Sequence, residues 1–191
     1  EDGSWKRYDA DWRESTYKNY FWMVPYDLQG LIDSIGGKEA AEKRLDEMFR
    51  RLDASYGDEW FASGNEPSFQ IPWIYNWAGA PYKAQQVIRR ILNEQYSSRV
   101  NGLPGNDDLG SMGAWYVFAS IGLFPEIPGV GGFSVNSPVF RKIVLHLPEG
   151  DVIIKGGDEK KEYIHSLSLD GKKMEGTWID WSDLYLSLIH I

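Results

Sequence analysis

The fold of this chain is decided by the stretch GNDDLGSMGAWYVF, which occupies residues Gly105–Phe118. A glycine-bounded acidic turn runs there directly into an apolar, aromatic segment with helical spacing. A helix behind the turn would hold its carboxylates rigidly, and rigid carboxylates suit general-base or metal chemistry. The same turn also suits an ordinary N-cap, in which a carboxylate accepts backbone N–H bonds at the start of the helix. The stretch alone leaves both interpretations open.

The composition of the chain narrows the class of partner. Its 191 residues include 9 Trp and 11 Tyr and carry a formal net charge of −8. A negative surface disfavours nucleic acid, whereas aromatic rings with carboxylates suit sugars, whose C–H faces stack on rings. Cysteine is absent, which excludes disulfides and cysteine zinc sites. No apolar run is long enough to span a bilayer, so we predict neither nucleic acid nor membrane as a partner.

Two amphipathic helices are predicted before the acidic turn. Apolar residues recur at three- and four-residue steps in two segments, and the second opens with Pro81, which suits a first helical turn. Between them lies a connection, residues 53–79, whose length is typical of functional loops. Its Asn65 and Glu66 offer oxygen ligands of the kind hard cations prefer, and Pro67 makes a plain Asx turn an equally good interpretation. The apolar positions are Ala41, Leu45, Met48, Phe49 and Leu52, then Ala84, Val87, Ile88, Ile91 and Leu92.

In the last third of the chain the apolar period changes from helical spacing to alternation, which predicts strands. We therefore predict a mainly α region over residues 1–125 and a small antiparallel β-sandwich over residues 126–191. Antiparallel helices joined by site-bearing loops are typical of an α/α toroid and equally of a plain helical bundle. The alternating residues are Phe133, Val135, Ile143, Leu145, Leu147, Val152, Ile154, Ile164, Leu167 and Leu169, with turns at 148–150, 156–157 and 170–171.

One upstream carboxylate, Glu14, stands among many aromatic residues. A single Glu is ordinarily a solvated surface group. Aromatic surroundings remove water from a carboxyl, which favours its protonated form and suits a general acid. The aromatic residues around Glu14 are Trp5, Tyr8, Trp12, Tyr17, Tyr20, Phe21 and Trp22.

Several motifs of this chain recur in the same order in one family. They are Glu14, then WMVPYD at 22–27, GNEP at 64–67, YNWAG at 75–79, GNDDLG at 105–110 and AWYVF at 114–118. On these motifs the chain resembles the C-terminal part of a glycoside hydrolase family 92 enzyme. The resemblance implies a calcium-dependent, exo-acting α-mannosidase that inverts the anomeric centre of terminal α-mannosides in N-glycans or mannans. It also implies that residues 1–125 belong to an (α/α)6 catalytic barrel.

The resemblance assigns roles to individual residues by position. Glu14 matches the general acid and Asp108 the general base, while Asn106 stands where a group supports the base. Inversion requires such a pair, with carboxyls roughly 6.5–9.5 Å apart to leave room for water. The residues that the resemblance places at the mannose or the calcium ion are Trp22, Asn65, Glu66 and Asp107, with Asn65 and Glu66 as the metal ligands.

The resemblance also implies a larger protein. The chain has no initiator Met, so we expect it to be a piece of a longer enzyme whose N-terminal domain completes the sugar pocket. The isolated piece is then expected to be inactive, and the whole enzyme to be secreted or periplasmic. Residues 184–191 do not resemble the last strands of the family.

Departures from the family pattern keep two alternatives open. Residues 15–19 read STYKN where the family usually has GNxWQ after the acid, Tyr26 stands where a His is common, and Phe69 with Gln70 replaces a frequent His-His pair. These changes are typical of a catalytically impaired, carbohydrate-binding relative. The other alternative is a metal-independent α/α-barrel glycosidase that acts on another sugar.

Overall fold

The structure is a computed structural model that describes residues 12–55, 57–148, 150–184 and 188–190. No helix in those ranges is long and apolar enough to cross a membrane. The α-helices are α1 (Tyr17–Tyr20), α2 (Leu28–Ser34), α3 (Lys38–Met48), α4 (Ile74–Trp77), α5 (Pro81–Glu94), α6 (Ser111–Ile121) and α7 (Trp181–Leu184). The strands are β1 (Leu123–Phe124), β2 (Gly132–Val135), β3 (Lys142–Leu147), β4 (Gly150–Lys155), β5 (Ser168–Leu169), β6 (Lys172–Lys173), β7 (Trp178–Asp180) and β8 (Leu188–His190).

The helices form where the sequence places apolar stripes. Helices α3 and α5 both bury the predicted faces, and α5 begins at Pro81 as expected. Helix α6 ends at Gly122, whose φ of 87° is the left-handed conformation that stops a helix. These helices enclose a core around Trp73, whose ring stacks on Phe124 at a centroid distance of 4.0 Å. The prediction that helices precede a small sheet region is therefore confirmed within the described ranges.

The connection over residues 53–79 is more ordered than its composition indicates. It contains short 3₁₀ turns at Glu66–Ser68 and Ile71–Trp73, and α4 follows directly. Each 3₁₀ turn carries a proline in its first two positions, where the fixed φ of the ring favours a helical start. Ile71 and Trp73 of the second turn lie in the helical core, and Phe69 packs against it. The connection therefore gives its polar residues a rigid support.

Two sheets cover one shared apolar core in the last third of the chain. The first has the strand order β1-β2-β7, and the second β3-β4-β8-β5-β6. The expected antiparallel arrangement is wrong at one pair, because β8 runs parallel to β4. Strands β5, β6 and β7 intervene along the chain between β4 and β8, which gives the long crossover that a parallel pair needs. The shared core comprises Leu123, Val135, Val152, Ile154, Leu167, Ile179, Leu184 and Ile189.

Helix α5 is joined to the sheet region through a buried arginine. The Arg89 guanidinium donates to the Lys161 carbonyl oxygen at 3.0 Å and lies within 3.5 Å of the carbonyl oxygens of Ser137, Pro138 and Asp158. Burial lowers the pKa of Arg89, while nearby carboxylates oppose that shift. The side chain thus bonds to backbone oxygens rather than to a single counter-ion.

A second polar group, Glu126, is buried at the junction between helices and sheet. It is 2% exposed, and it accepts hydrogen bonds from the Ser134 hydroxyl and from Trp77 Nε1, the latter at 3.2 Å. Its Oε1 has no hydrogen-bond partner within the described ranges. Burial raises the pKa of Glu126 to about 7, although the two hydrogen bonds lower it. Glu126 therefore takes up a proton on folding near neutral pH.

The substitution Glu126→Gln is expected to stabilise the protein at pH 8. The folded pKa of about 7 lies above the ordinary value of 4.5, so the folded state binds more protons than the unfolded state. Stability is then lost as pH rises from 4.5 through 7, by at most about 3 kcal/mol. Glutamine keeps the acceptor oxygen and stays neutral. Urea unfolding of the full-length protein at pH 5 and pH 8 measures the effect.

The matched control for this substitution is Glu159→Gln, which changes an exposed carboxylate. It is expected to leave the pH dependence of unfolding unchanged. An unaltered pH dependence in Glu126→Gln would contradict the assignment of a buried, proton-binding carboxyl.

Candidate active site

Two loops meet backbone to backbone at Gly64 and Gly105. A Cβ atom on Gly64 would lie 2.5 Å from the Pro104 carbonyl oxygen, and one on Gly105 would collide with the Gly64 carbonyl oxygen. Real Cβ contacts are not that short, so only glycine permits this approach at either position. The contact places Asn65 and Glu66 beside the acidic turn, as neither loop could do alone.

Helix α6 fixes both loops. The Ser111 hydroxyl lies 2.8 Å from Glu66 Oε1 and 2.8 Å from the Asp107 carbonyl oxygen, so it contacts both loops. Further along the helix, Trp115 Nε1 donates to the Phe69 carbonyl oxygen at 3.0 Å. Ser111 was not predicted as a site residue, because a serine at a helix start is ordinarily a local cap. Its position directly after the acidic turn was the only available signal.

The two aspartates of the acidic turn have different environments. Asp107 Oδ1 accepts the Gly113 backbone N–H in the first turn of α6 at 3.0 Å, as the capping interpretation expects of a carboxylate, although the N-cap residue itself is Gly110. Asp108 is exposed, has a φ of 42°, and makes no cap bond within the described ranges. Loss of water raises the pKa of Asp108, and so do the charge and hydrogen bond of Glu66 and the charges of Glu14 and Asp107. One carboxylate thus supports the helix, and the other faces the acidic cluster.

Glu14 joins this cluster from a third segment. Its backbone has a φ of 60°, and its carbonyl oxygen accepts a hydrogen bond from Asn65 Nδ2 at 2.5 Å. The predicted aromatic enclosure is wrong for the described rings, because Glu14 is exposed while Trp12 and Tyr20 stack on each other at 5.4 Å. Two of the expected rings, Trp5 and Tyr8, lie outside the described residues.

The two remaining predicted residues, Asn106 and Trp22, differ in their exposure to solvent. Asn106 is exposed on the acidic turn, next to the cluster. Trp22 is only 2% exposed and packs edge-on against Phe21 in the helical core. A ring so fully buried offers no face to a sugar, so the prediction that Trp22 binds substrate is corrected to a packing role. Its place in a segment rich in aromatic residues gave no sign of this burial.

The side-chain oxygen atoms of the cluster are of the kind that binds calcium. Those that the cluster supplies are fewer than the ligands that a calcium ion takes. Calcium takes six to eight oxygen ligands, which include carboxylates and amide carbonyls. Asn65 and Glu66 supply such oxygens, and every charge that raises the pKa of Asp108 is negative, which favours a nearby cation. Within the described ranges, however, no three His, Cys, Asp or Glu side chains are arranged to hold a metal ion.

The substitution Gly64→Ala is expected to destabilise the protein by about 2 kcal/mol, because the new methyl group would overlap the Pro104 carbonyl. Gly113→Ala is the matched control on the same contact region. A Cβ there would lie 3.7 Å from Asp107 Oδ1, an ordinary contact, and alanine favours a helix. Thermal unfolding of the full-length protein compares the two variants. Equal melting temperatures would contradict the close backbone approach.

The sequence of this chain is similar to those of known proteins. Residues 1–187 match the model of the glycosyl hydrolase family 92 catalytic domain. The chain is 31% identical over 176 residues to an uncharacterized secreted glycosidase of Arthroderma benhamiae, and the match covers 87% of this chain and 22% of that protein.

Solved structures are similar over almost the whole chain. A family 92 α-mannosidase of Bacteroides thetaiotaomicron superimposes with a TM-score of 0.87 and 31% identity, covering 98% of this chain and 26% of that one. A family 92 inverting mannosidase of the same species gives a TM-score of 0.84 and 28% identity, covering 98% and 29%. The chain therefore spans between a fifth and a third of the length of these proteins.

Proposed function

The chain belongs to glycosyl hydrolase family 92, and we propose that it supplies the catalytic acid and base of an exo-acting, inverting α-mannosidase. The observation that carries this proposal is the contact among three separate segments: Asn65 Nδ2 donates to the Glu14 carbonyl oxygen, and the Ser111 hydroxyl contacts both Glu66 and the backbone of the turn that bears Asp108. The mannosidases named above share this fold over 98% of the chain. The substrates are terminal α-mannosides of N-glycans or mannans.

In this proposal Glu14 is the general acid and Asp108 the general base. Glu14 protonates the leaving glycosidic oxygen, while Asp108 removes a proton from the water that attacks the anomeric carbon from the opposite face. The raised pKa of Asp108 makes it a stronger base once it is ionised. Asn106, on the same turn, supports the base. The exposure of Glu14 and Asp108 leaves both carboxyls accessible to substrate.

Calcium is the proposed cofactor, with Asn65 and Glu66 as its ligands from this chain. When bound, the ion supplies positive charge for the sugar hydroxyls. The other ligands come from water, from the sugar and from the rest of the enzyme, since this chain spans about a quarter of the solved mannosidases. Completion of the pocket is proposed for an N-terminal domain of the same enzyme. The predicted region 1–125, of which the structure describes residues 12–55 and 57–125, is proposed as part of an (α/α)6 barrel.

Burial of the residues after Glu14 favours an active enzyme over a silent relative. Three of the residues that depart from the family pattern, Ser15, Thr16 and Asn19, are buried, and Lys18 forms ion pairs with Glu47 and Glu59. These side chains therefore pack or pair within the protein and fix the segment after Glu14, which leaves them little direct contact with a sugar. Secretion is proposed because the Arthroderma relative is described as secreted.

The test is release of mannose from an aryl α-mannoside and from an α-mannan by the full-length enzyme. Asp108→Asn is expected to lower turnover by roughly 10²–10⁴-fold, the usual contribution of a general base, with little effect on stability. Asp107→Ala is the matched comparison, and its expected effect is a loss of about 1 kcal/mol of stability through the lost cap. Turnover that is indifferent to Asp108→Asn would leave the acidic turn a helix cap.

The same assay separates the alternatives when it is run with calcium and with EGTA. Loss of turnover in EGTA supports the calcium proposal, whereas full turnover supports a metal-independent glycosidase. Binding of mannose without any cleavage, in either buffer, supports a carbohydrate-binding relative.

A further inference from the structure

We propose that Asn65 is a positioning residue for the general acid, because its buried side-chain amide holds the backbone of Glu14 in the left-handed conformation. This inference rests on the proposed function, in which Glu14 is the acid. It adds to the metal role of Asn65 a second role that uses the other end of the same amide. The oxygen Oδ1 suits a cation, and the Nδ2 group holds the acid.

The contact between the two residues is direct and well enclosed. Asn65 is 3% exposed, and its Nδ2 donates to the Glu14 carbonyl oxygen at 2.5 Å across 51 positions of sequence. Glu14 has a φ of 60°, a region that residues other than glycine seldom adopt and that persists only when the surroundings impose it. A hydrogen bond to the carbonyl of that same residue is such a constraint.

The donor is itself fixed on both sides. Gly64, the residue before Asn65, is pressed against Pro104. On the other side the Ser68 backbone N–H donates to the Asn65 carbonyl oxygen at 3.1 Å, and the Ser68 hydroxyl donates to Asn19 Oδ1 at 3.1 Å. Asn65 therefore links the position of the acid to the same loop contact that places the base.

The chemistry of the reaction gives this role a distinctive signature. As the glycosidic bond breaks, its electron pair goes to the leaving oxygen, which then takes the proton of Glu14. The base takes a proton from water as the water oxygen bonds to the anomeric carbon. A leaving group that is stable as an anion needs no proton, so a misplaced acid slows only substrates with poor leaving groups.

The deciding variant is Asn65→Asp in the full-length enzyme, since aspartate keeps an oxygen ligand and loses the N–H donor. Turnover of a mannosyl disaccharide is expected to fall about 10²-fold, the effect of a misplaced catalytic group, and turnover of 2,4-dinitrophenyl α-mannoside less than about threefold. Calorimetric titration with calcium alone is expected to show no weaker binding. Equal losses on both substrates, or weakened calcium binding, would overturn the inference.

Asn65→Ala is the second variant, and it removes the N–H donor together with the oxygen ligand, so it is assayed at a calcium concentration that saturates the variant. The ratio of the two turnovers is the readout again, so a poorly folded Asn65→Asp does not remove the test. Gln85→Ala is the matched control, because Gln85 is also a buried amide that bonds to a distant segment, accepting the Ile164 backbone N–H at 2.8 Å, and it takes no part in the contacts that fix Asn65. It is expected to lower the melting temperature and to leave the ratio unchanged.

Glu14→Gln tests the acid role of Glu14 separately from the positioning role of Asn65. It is expected to give the same selective loss on the disaccharide. If Glu14→Gln shows this selectivity and neither Asn65 variant does, the positioning role alone is overturned. If Glu14→Gln itself shows no selectivity, the acid assignment fails and the inference is overturned with it.

Discussion

The site depends on one constraint, the absence of side chains where Gly64 and Gly105 approach each other. Two loops that lie about forty residues apart in sequence touch there through their backbones. The contact sets the distance between Glu66 and Asp108, and Ser111 then bonds to both loops from the first turn of α6. The 3₁₀ turns and α4 give the contact a rigid support on one side, and α6 does so on the other.

This arrangement concentrates negative charge and strained backbone in the same place. The carboxylates of Glu14, Glu66 and Asp107 raise the pKa of Asp108 because the surrounding framework keeps them close to it. Glu14, Asp108 and Leu109 all have positive φ, and such strain persists where packing over-determines the backbone. The stability of the helical core therefore compensates for an unfavourable but chemically useful cluster.

The sequence predicts what depends on local periodicity and misses what depends on distant contacts. Helices α3, α5 and α6 follow from their apolar stripes, and the 170–171 turn follows from Asp-Gly, which forms the tight β5–β6 connection with positive φ at both residues. The division of labour between Asp107 and Asp108 depends on the geometry of the cap. The burial of Trp22 and the parallel pairing of β8 depend on segments far away in sequence. Motif order, in contrast, identified the family because it samples many positions at once.

Arg89 of α5 limits amino-acid substitution at the helix–sheet junction more strictly on the helix than on the sheet side. Arg89 bonds mostly to main-chain oxygens of the segment 137–161, and every amino acid supplies such an oxygen. These main-chain contacts therefore place no demand on the side chains of Pro138, Asp158 and Lys161, as long as the path of the backbone is kept. The guanidinium has no such freedom, because lysine lacks the planar fork of donors. One position on α5 thus requires arginine, whereas the residues that it contacts need only supply their backbone carbonyl oxygens.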